Sequence, residues 1–337
     1  VNLIRKILFP VVPIYYVITR LRNVLYDLEI KKSVSYDFPV ICVGNLSVGG
    51  TGKTPMIAYL IDLLKNNYKL ATLSRGYGRH TKGFVLADEH ATARSIGDEP
   101  YQFYNAHKND VIVAVDENRN HGIQNLRTFD DAPEVVLLDD AFQHRKVKAG
   151  LNILLTTYNN LYSKDFVLPT GNLREPAGGA RRAHIIIVTK CPGTISVKDK
   201  KRIGESIKPE EHQHLFFSSI VYSNEVISEN NTKRVDDLSD FTLVTGIANP
   251  KPLIDFFSDK RLKFEHLNFK DHYEFTQQDI LHLNEKTCII TTEKDFMRLK
   301  QYDTLKDKLY YIPISISISD ASDAEKLHGL VTNFVKS

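Results

Sequence analysis

Cysteine is scarce, with three in 337 residues, at positions 42, 191 and 288. Spacing that wide excludes a disulfide framework and a paired-cysteine metal site, and Cys42 and Cys288 lie inside apolar runs, as the reduced, buried thiols of a cytoplasmic protein do. A strong excess of one charge is missing too. The formal net charge is +3, which excludes a general nucleic-acid binder working through a basic surface. There is no internal repeat and no low-complexity tract. The apolar run at 7–18 contains two prolines and falls short of the roughly 20 residues that cross a bilayer. No small-residue cleavage site follows it in the manner of a signal peptide. What is present is the ordinary composition of a folded chain, 42% hydrophobic and 25% charged, at a length that favours two α/β units over one.

The charge is unevenly placed. Residues 1–32 hold Arg5, Lys6, Arg20, Arg22, Lys31 and Lys32 against Asp27 and Glu29, a local excess of +4 in a chain whose total is +3. Apolar and aromatic residues flanked by Arg and Lys suit a segment lying in the headgroup region of an anionic membrane. A terminal helix docked on the protein's own core is the plainer alternative.

Val40-Ile41-Cys42-Val43-Gly44-Asn45 reads as a buried strand, and Leu46-Ser47-Val48-Gly49-Gly50-Thr51-Gly52-Lys53-Thr54-Pro55 follows it. A strand, a glycine-rich loop and then a helix start form a nest of backbone N–H groups for nucleotide phosphates. Gly49, Gly50 and Gly52 let the backbone approach the phosphates, Lys53 reaches the β and γ groups, and the Thr54 hydroxyl suits Mg²⁺. Position 47 is Ser, where the strict pattern has Gly. Ile57, Leu60, Ile61 and Leu64 then recur at helical spacing, and Pro55 fits a first helical turn. These features point to an ATP-using phosphotransferase.

Further along, Val135-Val136-Leu137-Leu138-Asp139-Asp140 is an apolar strand ending in two carboxylates, the place where phosphate-loop enzymes hold Mg²⁺. A strand-end turn is the alternative. Asp98 and Glu99, in Gly97-Asp98-Glu99-Pro100, offer a metal ligand or a base for an attacking hydroxyl, or simply a helix start. Which of Asp139, Asp140 and Glu99 holds the metal stays open. Arg75 and Tyr77, in the glycine-bearing stretch 73–79, and Arg174, in Leu173-Arg174-Glu175-Pro176, suit an anionic substrate; Arg181 and Arg182 read as solvated loop charges. His272, beside Asp271, suits proton handling or plain surface packing.

Strands are predicted at 70–74, 111–115, 135–139, 153–156 and 184–189, then at 241–246, 288–292 and 310–314. Helices are predicted at 252–257, 277–283 and 324–334. Continuous apolar runs indicate a parallel sheet buried on both faces. The expected fold is α/β: a P-loop NTPase-like parallel-sheet domain at 33–221 and a second, smaller α/β domain at 238–337 closing over the active-site cleft. Residues 1–32 form the membrane-associated segment, and 222–237, rich in Ser, Asn and charge, the linker.

Taken in order, the segments at 44–55, 73–79 and 97–100 resemble the tetraacyldisaccharide 4′-kinase (lipid A 4′-kinase) family. So do Leu138-Asp139-Asp140-Ala141-Phe142-Gln143-His144, the stretch 173–176, Gly246-Ile247-Ala248-Asn249-Pro250, Asp271-His272 and Thr292-Glu293-Lys294-Asp295. The resemblance implies transfer of the γ-phosphoryl group of ATP, with Mg²⁺, to the 4′-hydroxyl of an acylated glucosamine disaccharide 1-phosphate in lipid A biosynthesis. It implies two α/β/α lobes and a peripheral protein on the cytoplasmic face of the inner membrane. It also assigns the base to Asp98, assisted by His272, and makes Ser47 a family trait. Two rivals stand beside it. A membrane-associated regulatory ATPase carries a signature Lys where this chain has Val48. A GTPase has Asp where Thr189-Lys190-Cys191-Pro192 has Pro192. The residues specify no oligomeric state.

Overall fold

Apolar runs without alternation become strands covered on both faces, and they organise two separate sheets. The computed structural model describes residues 9–271 and 273–337. The chain up to Ile220 forms a larger unit together with Ile316–Ser337, and Val221–Ser315 forms a smaller one. The strands are β1 (Val40–Asn45), β2 (Leu70–Ser74), β3 (Val85–Leu86), β4 (Val111–Val115), β5 (Val135–Asp139), β6 (Leu151–Thr157), β7 (Ile185–Thr189) and β8 (His214–Tyr222). After them come β9 (Glu225–Ile227), β10 (Thr232–Arg234), β11 (Phe241–Thr245), β12 (Phe264–Asn268), β13 (Ile289–Thr292), β14 (Leu309–Ile312) and β15 (Ile314–Ile318).

In the larger unit the order is β15-β8-β7-β6-β1-β5-β2-β4-β3. β1 lies between β5 and β6 and runs parallel to both; the pairs β2–β5, β2–β4, β6–β7 and β7–β8 are parallel as well. Val40, Cys42, Val136 and Leu138 enter one apolar cluster, while Ile41, Val43, Val135 and Leu137 enter the other. A two-residue side-chain period with both faces covered explains why these runs read as continuously apolar. From β1 the chain winds to β2 on one side and later to β6 on the other, so the loops at the carboxyl ends part beside β1 and open a crevice.

Helices α1 (Val12–Asp27), α2 (Lys53–Leu64), α3 (Asp98–His107), α4 (Arg119–Leu126) and α5 (Val197–Ile207) precede the smaller unit. The polar side of α1 docks on the larger unit: Tyr15 donates its hydroxyl to the Arg174 carbonyl (2.8 Å), and Asn23 Nδ2 donates to Glu175 Oε2 (2.5 Å). Ile14, Val17, Ile18 and Leu21, spaced along one stripe, are 56–61% exposed. That inverts the usual surface helix, which buries its apolar stripe. No described helix is long and apolar enough to cross a membrane; residues 1–8 of the basic segment lie outside the described residues.

The smaller unit has the order β10-β9-β14-β13-β11-β12, with β12, β11, β13 and β14 parallel and β9 antiparallel to β14. At its centre, Thr292 Oγ1 accepts the Asp295 N–H (3.2 Å), and buried Asp295 Oδ2 accepts the Gly246 N–H (2.8 Å). Two of the motifs quoted above are therefore tied together across the ends of β11 and β13.

Two boundaries differ from expectation. Residues 222–237 hold β9 and β10 rather than a linker; β10 is exposed at all three positions, so an edge strand carries no apolar pattern to read. Residues from Ile316 onward belong to the larger unit, where Leu327 and Val331 share an apolar cluster with Met56 of α2. Sequence order does not reveal which of two cores a terminal amphipathic helix joins.

Candidate active site

At the carboxyl end of β1 the loop begins as a short ladder. Ser47 bridges Leu173 in antiparallel fashion, the Val48 N–H donates to the Asn172 carbonyl (2.8 Å), and the Arg174 N–H donates to the Leu46 carbonyl (2.7 Å). A ladder position takes extended backbone, which any residue adopts, so position 47 has no need of glycine. Gly52 is different. It caps α2 with φ +90°, a left-handed conformation that glycine alone enters without cost. Thr51 is held from both sides, its hydroxyl by Asn45 Nδ2 (2.9 Å) and its carbonyl by Thr189 Oγ1 (2.7 Å). Lys53 and Thr54 then open α2, so the backbone N–H groups of a helix N-terminus face the loop's interior.

The two carboxylates that end β5 differ in their surroundings. Asp140, in left-handed backbone (φ +47°), accepts Arg174 Nη1 on both oxygens (2.9 Å each) and lies 3.7 Å from Lys53 Nζ. Asp139 is 1% exposed, and neither of its oxygens has a hydrogen-bond partner. Burial, and next the charge of Glu99, push its carboxyl up to about 8. An isolated buried carboxyl is costly when ionised and gains by meeting a cation. Among the described residues no three His, Cys, Asp or Glu side chains gather as a complete cage. That fits Mg²⁺, which takes one or two protein ligands and completes its shell with phosphates and water.

Glu99 acts on Asp139 because α3 starts at the crevice: Gly97 caps it, Asp98 is its first residue and Glu99 its second. Gly97 has φ +96°, and a Cβ there would stand 2.9 Å from the Tyr77 carbonyl oxygen. The turn after β2 thus packs directly against the start of α3. Arg75 on that turn is exposed and Tyr77 is 85% exposed. The Asp98–Glu99 pair is a helix start, as one of the two sequence readings had it, and Glu99 in its first turn is near enough to Asp139 to act on its carboxyl. His272 lies outside the described residues.

Two participants were not singled out in the sequence, and a third was read differently. Arg119 is buried on α4, where Nη1 donates to the Asp116 carbonyl (3.2 Å) and Nη2 to the Asp139 carbonyl (3.4 Å). Glu175 is 1% exposed and accepts Asn23, Gln143 and Arg182. Arg182 is accordingly not a solvated charge: it pairs with Glu175 at 2.7 Å and lies over the Phe142 ring. Arg119 stands between Asn118 and Asn120 in a polar stretch and carried no signal, whereas the Arg-Glu-Pro run was available for Glu175.

The chain matches the family described as tetraacyldisaccharide-1-P 4′-kinase (LpxK) across residues 4–332. It is 50% identical over 318 residues to a tetraacyldisaccharide 4′-kinase of Flavobacterium johnsoniae, covering 93% of this chain and 92% of that one. Against the Bacteroides thetaiotaomicron protein of the same name the figure is 46% over 340 residues, covering 94% and 89%. Among solved structures, an LpxK from Aquifex aeolicus in complex with ATP superposes with a TM-score of 0.78 at 30% identity, covering 99% of this chain and all of that one. The phosphate loop, the strand-end carboxylates and this likeness along nearly the whole length agree, and the chain belongs to the tetraacyldisaccharide 4′-kinase family.

Proposed function

We propose that this protein transfers the γ-phosphoryl group of ATP to the 4′-hydroxyl of an acylated glucosamine disaccharide 1-phosphate, in lipid A biosynthesis. The observation that carries the reading is the meeting, at the carboxyl ends of β1 and β5, of a phosphate loop and a buried carboxyl with no protein partner.

The loop amides and Lys53 hold the β and γ phosphates. Thr54 and Asp139 are the residues to hold Mg²⁺, which when bound neutralises the charge spread over the phosphoryl oxygens. Asp140 keeps Arg174 and Lys53 oriented, through contacts of 2.9 and 3.7 Å. Asp98, at the first position of α3, takes the proton of the attacking hydroxyl. The resemblance adds His272 as its assistant. Arg75, Tyr77 and Arg174 line the approach for the sugar phosphate. Because the phosphoryl transition state is loose, rate is gained chiefly through positioning and charge stabilisation.

The membrane-facing part of the reading rests on α1. Its apolar stripe is exposed while its polar side is bonded to the loop at 174–175. A peripheral protein on the anionic cytoplasmic face of the inner membrane would lower that stripe among the headgroups and bring the loop to the lipid.

Labelled γ-phosphate transfer onto the acylated disaccharide tests the activity directly. Lys53→Ala and Asp98→Ala should each lower kcat by orders of magnitude in a folded protein, and His272→Ala should lower it with ATP binding intact. ATP hydrolysis that ignores the acceptor and yields no phosphorylated lipid would overturn the assignment.

A further inference from the structure

The segment Thr189-Lys190-Cys191-Pro192 takes no part in the mechanism above, yet β7 delivers it to the phosphate loop. Thr189 Oγ1 donates to the Thr51 carbonyl at 2.7 Å and to the Thr156 carbonyl at 3.2 Å, which fixes the end of β7 against the loop. The chain then turns sharply. Lys190 has φ +55°, a left-handed conformation that is strained for a non-glycine residue. The Cys191 N–H donates to the Ser218 carbonyl (2.9 Å) and holds the turn. As a result Lys190 Nζ stands 3.8 Å from the point a Cβ on Gly50 would occupy.

We infer that Lys190 is a second nucleotide-binding cation of the phosphate loop, standing over Gly50 and gripping the polyphosphate of ATP and ADP in the ground state. Lys53 meets the phosphates from the helix start, and Lys190 meets them from the end of β7. Among the described residues no carboxylate pairs with it. Partial desolvation alone acts on the ammonium and draws its pKa below the ordinary lysine value, with no neighbouring charge to offset this. Lys190 is exposed as a residue, and a cation standing at the mouth of a loop of N–H donors, with no anion of its own, is matched by the nucleotide's phosphates. Position 48, where some related loops carry a lysine, is Val here, so the cation comes from a different strand. The inference rests on the reading of the loop as the seat of ATP.

The test is calorimetric binding of Mg-ATP and Mg-ADP to the full chain and its Lys190→Ala, Lys190→Met and Lys190→Arg variants, with steady-state kinetics alongside. Loss of one charge-assisted contact raises Kd by about tenfold or more. Ala and Met should both show that rise, in KM for ATP as well as in Kd. Arg should restore affinity to within about threefold. Turnover at saturating ATP should fall far less than affinity, and KM for the lipid acceptor should stay put. Wild-type affinity in the Met variant, which keeps the alkyl stem and loses the charge, would overturn the inference. So would a loss confined to kcat. Failure of the wild-type chain to bind Mg-ATP would overturn the loop assignment along with it.

Discussion

Asp139→Asn separates stability from activity at the residue proposed to hold the metal. In the ligand-free protein this carboxyl is buried with neither oxygen paired, and it ionises only near pH 8 against an ordinary value of 3.8. A carboxyl raised on folding contributes stability that is complete below about pH 4 and is lost as pH climbs through about 8. At ~1.4 kcal/mol per pH unit, the loss reaches ~4 kcal/mol at pH 7. Relaxation around the ionised group reduces the measurable part to about 2 kcal/mol. Asparagine copies the neutral form in shape and cannot ionise. Urea unfolding in EDTA should therefore show the variant more stable than wild type by about 2 kcal/mol or more at pH 8, with the gap closing near pH 4. With Mg-ATP the order reverses, because ligand linkage stabilises only a protein that binds the complex. Phosphoryl transfer by the variant should fall by orders of magnitude. Equal stability at pH 8 in EDTA, or turnover within tenfold of wild type, would refute the reasoning.

His144 gives the opposite pH dependence. Burial first, then Arg119 and Lys146, hold its ring down at about 4, so its stabilising contribution is present above about pH 6.5 and disappears as pH falls through 4. For a partly solvated ring this amounts to about 1 kcal/mol, and His144→Gln should flatten that part of the acid-unfolding curve. Gly97→Ala forces a side chain into φ +96° and within 2.9 Å of the Tyr77 carbonyl oxygen; it should cost about 2 kcal/mol or more in thermal unfolding and lower kcat by displacing Asp98, whereas normal turnover would detach α3 from the chemistry. Ile14→Ser combined with Ile18→Ser and Leu21→Ser should weaken sedimentation with anionic vesicles severalfold, since burying each such side chain contributes about 1.5–3 kcal/mol. Turnover on detergent-dispersed acceptor should change little. Unaltered vesicle binding would remove α1 from the membrane contact.

Much of the larger unit could be read directly from sequence. The expected strands at 70–74, 111–115 and 135–139 coincide with β2, β4 and β5, because a strand covered on both faces leaves an uninterrupted apolar run. The expected segments at 153–156 and 184–189 overlap β6 and β7 within two residues. β8 and β12 escaped notice. β12 has no fully buried position, and β8 carries Ser218 and Ser219 inside its apolar stretch. In the site, residues that must contact phosphate or metal advertised themselves through glycines and paired acids. Arg119, Glu175 and Lys190 did not, since their roles depend on partners that are 20 or more residues away in the chain for Arg119 with Asp139, and 152 for Glu175 with Asn23.

Local order alone determined the loop. A strand, three glycines and a Gly-Lys-Thr helix start dictate a nest of N–H donors wherever the segment lies, because backbone geometry fixes it within a dozen residues. The inequality of the two adjacent aspartates was decided by tertiary packing. Asp140 meets Arg174 and Lys53 while Asp139 is sealed beneath the sheet's end without a partner. Asp139 is the last residue of β5 and Asp140 follows it in a left-handed turn, and which of the two finds a cation or an apolar wall depends on strands and loops brought in from elsewhere in the chain.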